Sequence, residues 1–475
     1  MAISTKEKTA TTMVGTRDGM EKRSGRPENW GKITPAEKRK YRLDGYLSTA
    51  GRKFVSPEAE KAYKVRAQRM VDVFNVTEPD MIPVTLPVGN LPLSLYGLNS
   101  HDTFYNHEKV VQACQKFNEK YGEELEVFVT PPATPGKALE ILDYRIYAWP
   151  GRGIEEDSSG WQYIEGEYMN VDEYDDLIRD PSDFWLRTYL PRVFGALEPF
   201  RMFQSLTNIN ENVHIGLLTN PLSTPAVQEM LQKMLDAGKE TQKMNQVVGK
   251  YAGMGVSHGF PVMGSIFCKA PFDTLGDTLR GNNAIMYDMF RRPDKLLKAL
   301  DVIADFTIDN ALKSPIFNTA VMAGYPLHKG ADGWMSQKQF DTFYWPSMKK
   351  VMDALIDEGL IQRLFAEGGY DTRLESVGDF PKGTVTWAFD RTDMKRAKKI
   401  LGANFCIQGN VPSTLVITGS PKDVKECCRK LIEDCGKGGG YILTSGGVGG
   451  GAKKLENVRA MLEAVREYGV YKKKR

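Results

Sequence analysis

Three side chains capable of acid–base chemistry stand directly after strand-like runs in the last third of the chain. His328 follows TAVMAGYPL, Glu367 follows RLFA, and Asp390 follows TVTWAF. Carboxyl and imidazole groups are frequent proton donors and acceptors in enzymes. We therefore expect Glu367, His328 and Asp390 to be catalytic residues, with Glu367 or His328 acting as a proton donor.

Five further polar residues lie on turns of the same kind, and we expect them to bind substrate. They are Tyr370, Arg373, Asp332, Asn410 and Asn90, the last of them in the turn VGNLP.

Several of these residues also have a structural alternative. Glu367 could cap a helix or pair with Arg373, and His328 could orient a turn. Asp390 could cap the helix that follows it, and Asn410 could shape the turn GNVP. The residue types alone leave both alternatives open.

The elements that would position these side chains follow a regular order. Strand-like runs, Gly-containing turns and amphipathic helices alternate from Leu327 to the end of the chain. This alternation requires a parallel sheet with helical crossovers, and in such folds the chemistry lies at the carboxyl ends of the strands. We predict an α/β fold, a single (β/α)8 TIM-type parallel barrel over residues 67–475, preceded by a basic N-terminal helical extension over residues 1–66.

Individual elements are also predicted upstream of this region. Strands are expected in MIPVTLP, ALEILDYRIYAWPG and FPVMGSIF, and helices in KAYKVRAQRMVDVFN, over Asn106–Tyr121 and over Phe184–Met202 with a break at Pro191. A helix after Pro293 has apolar residues at the spacing of a helix laid on a sheet. These residues are Leu296, Leu297, Leu300, Ile303 and Ala304.

Three of the six cysteines fall on one helix. Cys427, Cys428 and Cys435 share a face with Val424 in a helix that begins after Ser420. Adjacent cysteines without a nearby His are poor metal ligands, and free cysteine packs as a small apolar residue. We predict that the three are buried on an outer-layer helix and bind no metal.

The charge is unevenly distributed. Residues 1–70 hold 17 Lys/Arg against 8 Asp/Glu, although the formal net charge of the chain is only +3. Such a basic arm can bind nucleic acid, or it can pack along the barrel or a partner subunit. Because no nucleic-acid motif is present, we predict no nucleic-acid partner, and a homo-oligomer stays open. The chain has no apolar run of 18 residues and begins without an apolar signal core, so we expect a cytoplasmic protein with no membrane span.

Several stretches of the chain resemble the uroporphyrinogen decarboxylase superfamily. The stretch PVMGSIFCKAPFDTLGDTLRG is similar to that superfamily's strand leading into a Gly-Ala-Pro-aromatic-Thr-Leu turn. The stretches WAFDRTDMKRAKKILGANFCIQGNVP, GGYILTSGG and LENVRAML resemble its later strands, its Gly-Asn-x-x-Pro turn and its closing helix. The resemblance covers roughly residues 67–471. It implies a distorted eight-stranded parallel barrel and either decarboxylase or corrinoid-dependent methyltransferase activity.

Two motifs of the decarboxylases themselves are missing. Their Arg-Gln-Ala-Gly-Arg-Tyr signature, whose arginines bind the many substrate carboxylates, is replaced by PVTLPVGNLPLSLYG, which contains no arginine. Their late Gly-His-Gly turn is replaced by SGGVGGG. These differences disfavour porphyrinogen decarboxylation.

The zinc motif of the thiol-activating methyltransferases of this superfamily is missing as well. The segment corresponding to their His-x-Cys pair reads Phe-Ala-Glu-Gly, ending with Glu367 and Gly368. A zinc site built from His258, His328, Glu367 and Asp390 is chemically possible, but it is not favoured.

The resemblance therefore implies a corrinoid-dependent methyltransferase that moves a methyl group from a small methyl donor, such as a methyl ether, to a corrinoid protein. The chain lacks the cobalamin-carrying motif Asp-x-His-x-x-Gly, so the corrinoid (cobalamin) would be supplied by that partner. One alternative is a decarboxylase acting on uroporphyrinogen or another carboxylated substrate. The other is a non-catalytic barrel that only binds a ligand.

Overall fold

A computed structural model describes residues 26–208, 215–446 and 453–471. Its main element is a sheet of seven strands, all paired in parallel. In chain order these strands are β1 (Val84–Thr85), β5 (Ser265–Phe267), β6 (Met322–Leu327), β7 (Ile361–Ala366), β8 (Val385–Phe389), β9 (Cys406–Val411) and β10 (Tyr441–Ser445). Their order across the sheet is β1-β10-β9-β8-β7-β6-β5.

A second, small sheet lies outside the barrel. It consists of β2 (Tyr147–Pro150), β3 (Gly153–Ile154) and β4 (Gln162–Tyr163), in the order β3-β2-β4. The predicted strand ALEILDYRIYAWPG was therefore partly wrong, because its first half forms the helix Gly136–Ile141 and its second half contributes β2 to this sheet. The segment GKALEI is rich in good helix formers, which explains the difference.

Helices connect the strands and cover the outer face of the main sheet. The longer α-helices are Pro35–Leu47, Pro57–Phe74, His107–Leu125, Pro225–Ala252, Asn282–Arg291, Pro293–Leu312, Trp345–Asp357, Met394–Leu401, Pro421–Cys435 and Leu455–Tyr468. The shorter ones are Leu91–Leu95, Asp102–Tyr105, Gly136–Ile141, Tyr174–Arg179, Pro181–Phe184, Leu190–Val193, Gly216–Leu222, Met254–Ser257, Pro271–Asp273, Gln337–Gln339 and Ser413–Thr418. Wide π-type turns occupy Trp185–Tyr189, Thr274–Arg280 and Phe340–Tyr344, and 3-10 turns occupy Trp30–Lys32, Val171–Glu173, Gly195–Met202 and Leu206–Asn208.

This architecture confirms the α/β parallel barrel fold. The central strands are rich in buried residues because helices cover them on the outside, and all five residues of β8 are buried. Within the described residues the sheet has seven strands rather than the predicted eight. In the chain between β1 and β5, the backbone of Val129 pairs with the side chain of Asn118. Its amide accepts from Val129 N–H at 2.8 Å and donates to the Val129 carbonyl at 2.9 Å.

Two helix predictions needed correction. The break expected at Pro191 occurs at Phe194, which has extended backbone, while Pro191 lies inside Leu190–Val193. The preceding turn Trp185–Tyr189 is widened, and such a turn accommodates a proline that lacks an N–H. In Pro293–Leu312, Leu297 is 39% exposed, whereas the other four predicted residues are buried.

The outer helix Pro421–Cys435 has the predicted cap and face. The Ser420 hydroxyl accepts from Asp423 N–H at 3.3 Å. Cys428 and Cys435 are buried, and Cys427 is only partly buried. That these cysteines bind no metal stays a prediction.

The described part of the N-terminal extension closes the amino-terminal end of the barrel. Arg42 donates to the carbonyls of Phe317 and Ala320 at 2.7 and 2.6 Å, just before β6 begins. Apolar residues of the extension also pack against residues at or next to the start of β6, β7, β9 and β10. This apolar cluster contains Leu43, Tyr46, Tyr63, Val321, Met322, Ile361, Cys406 and Ile442.

Residues 1–25 of the extension and most of the SGGVGGG turn lie outside the described residues. Of the helices in the described parts of the chain, none combines the length and apolar character that a membrane crossing requires.

Candidate active site

The strand register brings two of the predicted catalytic side chains together. Leu327 at the end of β6 pairs with Ala366 at the end of β7, and Ala366 pairs with Phe389 at the end of β8. The next residue of each strand therefore lies at the same edge of the barrel. There, Nε2 of His328 is 3.7 Å from Oε1 of Glu367.

Two aspartates from the segment after β5 surround His328, and sequence analysis did not predict them. Oδ2 of Asp277 lies 2.6 Å from His328 Nδ1. The Asp273 carboxylate accepts from the backbone N–H groups of His328 and Lys329, both at 2.9 Å, and from the Tyr344 hydroxyl at 2.8 Å. Asp273 therefore holds the backbone of the turn, while Asp277 holds the imidazole.

Two lysines keep Asp277 ionised. Its carboxylate lies 2.8 Å from Nζ of Lys269 and 2.5 Å from Nζ of Lys329. Burial raises the pKa of Asp277, but the hydrogen bond from His328 and the two lysine charges outweigh it and hold that pKa far below its ordinary value. The same hydrogen bond raises the pKa of His328, although burial opposes it. The site therefore stabilises His328 as an imidazolium whose Nε2–H faces Glu367.

Glu367 is arranged to hold a proton. Burial raises the pKa of its carboxyl group, the charge of His328 lowers it, and the negative charges of Asp273 and Asp390 raise it again. The net effect is a pKa above the ordinary value for a glutamate. Glu367 and His328 can therefore exchange or donate a proton at the barrel edge.

Asp390 and Asn410 make local contacts on the neighbouring turns. Asp390 Oδ2 accepts from Gly368 N–H at 3.2 Å, which fixes the turn after Glu367. Asn410 donates from Nδ2 to the carbonyl of Thr392 at 2.8 Å. Asp390 thus stands beside Glu367 in the strand register, whereas the Asn410 amide shapes the turns, the structural alternative left open for it.

Three of the predicted substrate-binding residues are held within the turns and do not line the barrel cavity. Arg373 is 1% exposed and donates to the carbonyls of Gly330 and Met335 at 3.1 and 2.5 Å. Asp332 accepts from the Thr372 hydroxyl at 2.7 Å. Tyr370 is fully buried. Their position in the sequence could not reveal this structural role, because structural residues and ligand-binding residues both follow strands.

Asn90 precedes the short helix Leu91–Leu95, next to Gly89, which lines the barrel cavity. Its carbonyl accepts from Ser94 N–H at 3.1 Å.

The barrel contains an open cavity of about 670 Å³. Glu367, His328 and Asp390 are not among its lining residues, although Glu367 follows two of them, Arg363 and Phe365, along the chain. The cavity walls come from all seven strands and from turns beyond β1 and β10. The lining residues are Thr85, Pro87, Gly89, Ser265, Phe267, Gly324, Tyr325, Pro326, Arg363, Phe365, Ala388, Phe389, Gln408, Thr444, Ser445 and Lys453.

The cavity combines aromatic walls with two cationic side chains. Arg363 lies on β7, two residues before Phe365 and four before Glu367, so the three side chains share the inward face of the strand. This alternation was present in QRLFAEG and could have revealed Arg363 as an inward residue. The cavity lining contains no cysteine among its described residues.

The metal site considered from sequence is not assembled. His258 stacks on Phe128 at 5.7 Å and lines a separate groove beside Arg66. Among the described residues, no group of three or more His, Cys, Asp and Glu side chains is placed to hold a metal ion.

The chain is similar in sequence to proteins of one known family. A family model described as uroporphyrinogen decarboxylase (URO-D) matches residues 188–468. Uroporphyrinogen decarboxylase from Pseudomonas fluorescens is 27% identical over 196 residues, 40% of this chain and 52% of that protein. The enzyme of the same name from Dichelobacter nodosus is 30% identical over 131 residues, 27% of this chain and 36% of that protein. The chain thus spans about half or less of the length of these two curated relatives.

A solved structure has the same fold. A methyltransferase from Methanosarcina mazei superposes with a TM-score of 0.52 at 15% identity, covering 85% of this chain and 98% of that one. At this identity the likeness concerns the fold alone.

Proposed function

Because the chain belongs to the uroporphyrinogen decarboxylase family, we propose that it is a corrinoid-dependent methyltransferase of that family, which moves a methyl group from a small donor such as a methyl ether to a corrinoid protein. The observation that carries this proposal is the proton-holding pair at the barrel edge. Glu367 has a raised pKa, and His328 faces it at 3.7 Å. A methyl ether needs a proton on its oxygen when the methyl group leaves.

The residues of the chain would act on the leaving oxygen. The C–O bond of the donor breaks and its electron pair stays on the oxygen, which Glu367 protonates to a hydroxyl group. The ionised carboxyl group regains a proton from solvent or through His328, whose imidazolium Asp277 stabilises. Phe365 and Phe389 would hold the apolar part of the donor in line for the transfer.

The cavity has room for a small donor, since its volume is about 670 Å³ and it is open to solvent. When bound, the reduced corrinoid would supply the nucleophile that takes the methyl group. We expect it to remain on its own protein and to approach at the carboxyl end of the barrel, near Pro87, Gly89 and Lys453, which line the cavity beyond β1 and β10.

Decarboxylation of a carboxylated substrate is the second candidate. It is favoured by Arg363 and Lys453, two cations in a cavity whose described lining contains no Asp or Glu. In that reaction the C–CO₂ bond breaks, the electron pair stays on carbon, and Glu367 or His328 supplies the proton. A non-catalytic barrel is less well supported, because its pocket would be filled by its own side chains.

The decisive experiment mixes the purified chain with cob(I)alamin and a panel of methyl donors, and follows the absorption change to methylcobalamin. We expect at least one methyl ether to react. The same panel, extended to carboxylic acids, is assayed for CO₂ release. Release of CO₂ without methyl transfer would replace the first function by the second.

A further inference from the structure

We infer that the barrel cavity contains a carboxylate-binding subsite built on Arg363, and that the ligand is a small aromatic carboxylate. The inference rests on the proposed function only in identifying this ligand as the methyl donor. The subsite itself depends only on Arg363 and the other residues that line the cavity.

The positive charge of Arg363 lies inside the barrel and is only weakly compensated by neighbouring side chains. Its side chain is partly buried on the inward face of β7, and it donates to Oε1 of Gln408 at 3.5 Å. Burial lowers its pKa. The cavity lining holds a second cation, Lys453, and no carboxylate among its described residues.

A desolvated guanidinium without an anion is unfavourable. Two fully buried arginines of the described residues are compensated: Arg280 lies 2.7 Å from Asp288, and Arg373 donates to several carbonyls. Arg363 instead faces open space. A guanidinium presents paired N–H donors that match the two oxygens of a carboxylate, so an incoming carboxylate would supply the missing anion.

The residues that line the cavity indicate the chemistry of the rest of the ligand. Phe365 lies between Arg363 and Glu367 on the same strand face, and Phe389 and Phe267 also border the space. The Cα atoms of Arg363 and Glu367 are about 13 Å apart, since each strand residue adds roughly 3.3 Å. Because side chains at alternate strand positions point to the same face, a ring lying against Phe365 would place its carboxylate at Arg363 and its opposite end toward Glu367.

This arrangement differs from what a tetrapyrrole with many carboxylates needs. One arginine and one lysine can match one or two carboxylates, whereas such a substrate would need several cations around its rim. The subsite therefore selects a small monocarboxylate and places its opposite end near Glu367 and His328.

The test uses benzoate as the anionic probe and benzamide as its neutral counterpart, with binding to the full chain measured by calorimetry. We expect benzoate to bind the wild type at least about 10-fold more tightly than benzamide, since a hydrogen bond between two charged groups is stronger than one to a neutral amide. Arg363→Gln should remove this preference. Arg363→Lys should keep part of it, because it retains the charge and loses the fork.

Arg291→Gln is the matched control, because Arg291 is exposed on an outer helix and lies over Tyr287. It should bind benzoate like the wild type. Equal affinity for benzoate and benzamide, or unchanged benzoate binding in Arg363→Gln and Arg363→Lys, would overturn the subsite. Benzoate binding that depends on Arg363, in a protein that transfers no methyl group, would retain the subsite and reject only the proposed function.

Discussion

Nδ1 of His328 lies 2.6 Å from Oδ2 of Asp277, and this contact sets which way the imidazole faces. With Nδ1 engaged by an ionised carboxylate, Nε2 is the nitrogen directed at Glu367. The carboxylate thus stabilises both the charged form of the ring and its orientation.

Glu367→Gln should retain the fold and lose activity. The amide has the same shape but no acidic proton, so methyl transfer should fall about 10²-fold or more, as expected for loss of a general acid. The rate of methylcobalamin formation measures this, with thermal unfolding as the check on folding. Glu375→Gln, on an exposed turn, is the control and should leave the rate unchanged. A wild-type rate in Glu367→Gln would remove this residue from the mechanism.

The contribution of His328 to stability should depend on pH. Its folded-state pKa is raised by Asp277, so the protonated form favours folding. This contribution is fully present below roughly pH 6.5, the ordinary pKa of histidine, and is lost as the pH rises through the higher folded value. The difference in unfolding free energy between wild type and His328→Gln should therefore shrink with rising pH in urea titrations. A difference that grows with pH over this range would contradict the raised pKa.

Gly330→Ala should destabilise the turn behind the site. A Cβ at this position would lie 2.7 Å from the Tyr370 hydroxyl and 2.8 Å from the Tyr344 ring. Overpacking of this kind costs about 1–3 kcal/mol, measurable by urea unfolding. Gly333→Ala is the control on the same turn, because a Cβ there meets nothing within 4 Å. Equal stability of the two variants would mean that the tyrosine pair moves aside freely.

Arg42→Met should weaken the attachment of the N-terminal extension. Burial lowers the pKa of Arg42 to about 10, and its guanidinium satisfies the carbonyls of Phe317 and Ala320. Leaving buried carbonyls unpaired costs roughly 1–3 kcal/mol. Lys40→Met removes an exposed cation from the same helix and should change stability by less than about 1 kcal/mol. Urea unfolding measures the stability of both variants. A loss of stability in Lys40→Met as large as that in Arg42→Met would reject the specific role of Arg42.

The sequence allowed the parallel barrel and the neighbourhood of His328 and Glu367 to be predicted, because both depend on local strand–turn–helix order. Asp277 was missed, since it reaches the site from a wide helical turn after β5 and only the tertiary fold brings it to His328. Arg373 follows a strand as Glu367 does, yet its side chain turns into the core. Strand order predicts where a turn lies, but not the direction of a long side chain that leaves it.

The N-terminal helices also have a consequence for the order of events in catalysis. They close the amino-terminal end of the barrel around Tyr46 and Tyr63. Substrates and products would therefore enter and leave at the carboxyl end. In the proposed reaction the donor and the corrinoid protein must share that route. The donor then has to arrive before the partner docks, and the demethylated product has to wait until the partner departs. Steady-state kinetics of such an enzyme would be sequential with a compulsory order, and excess corrinoid protein would slow turnover by trapping the product.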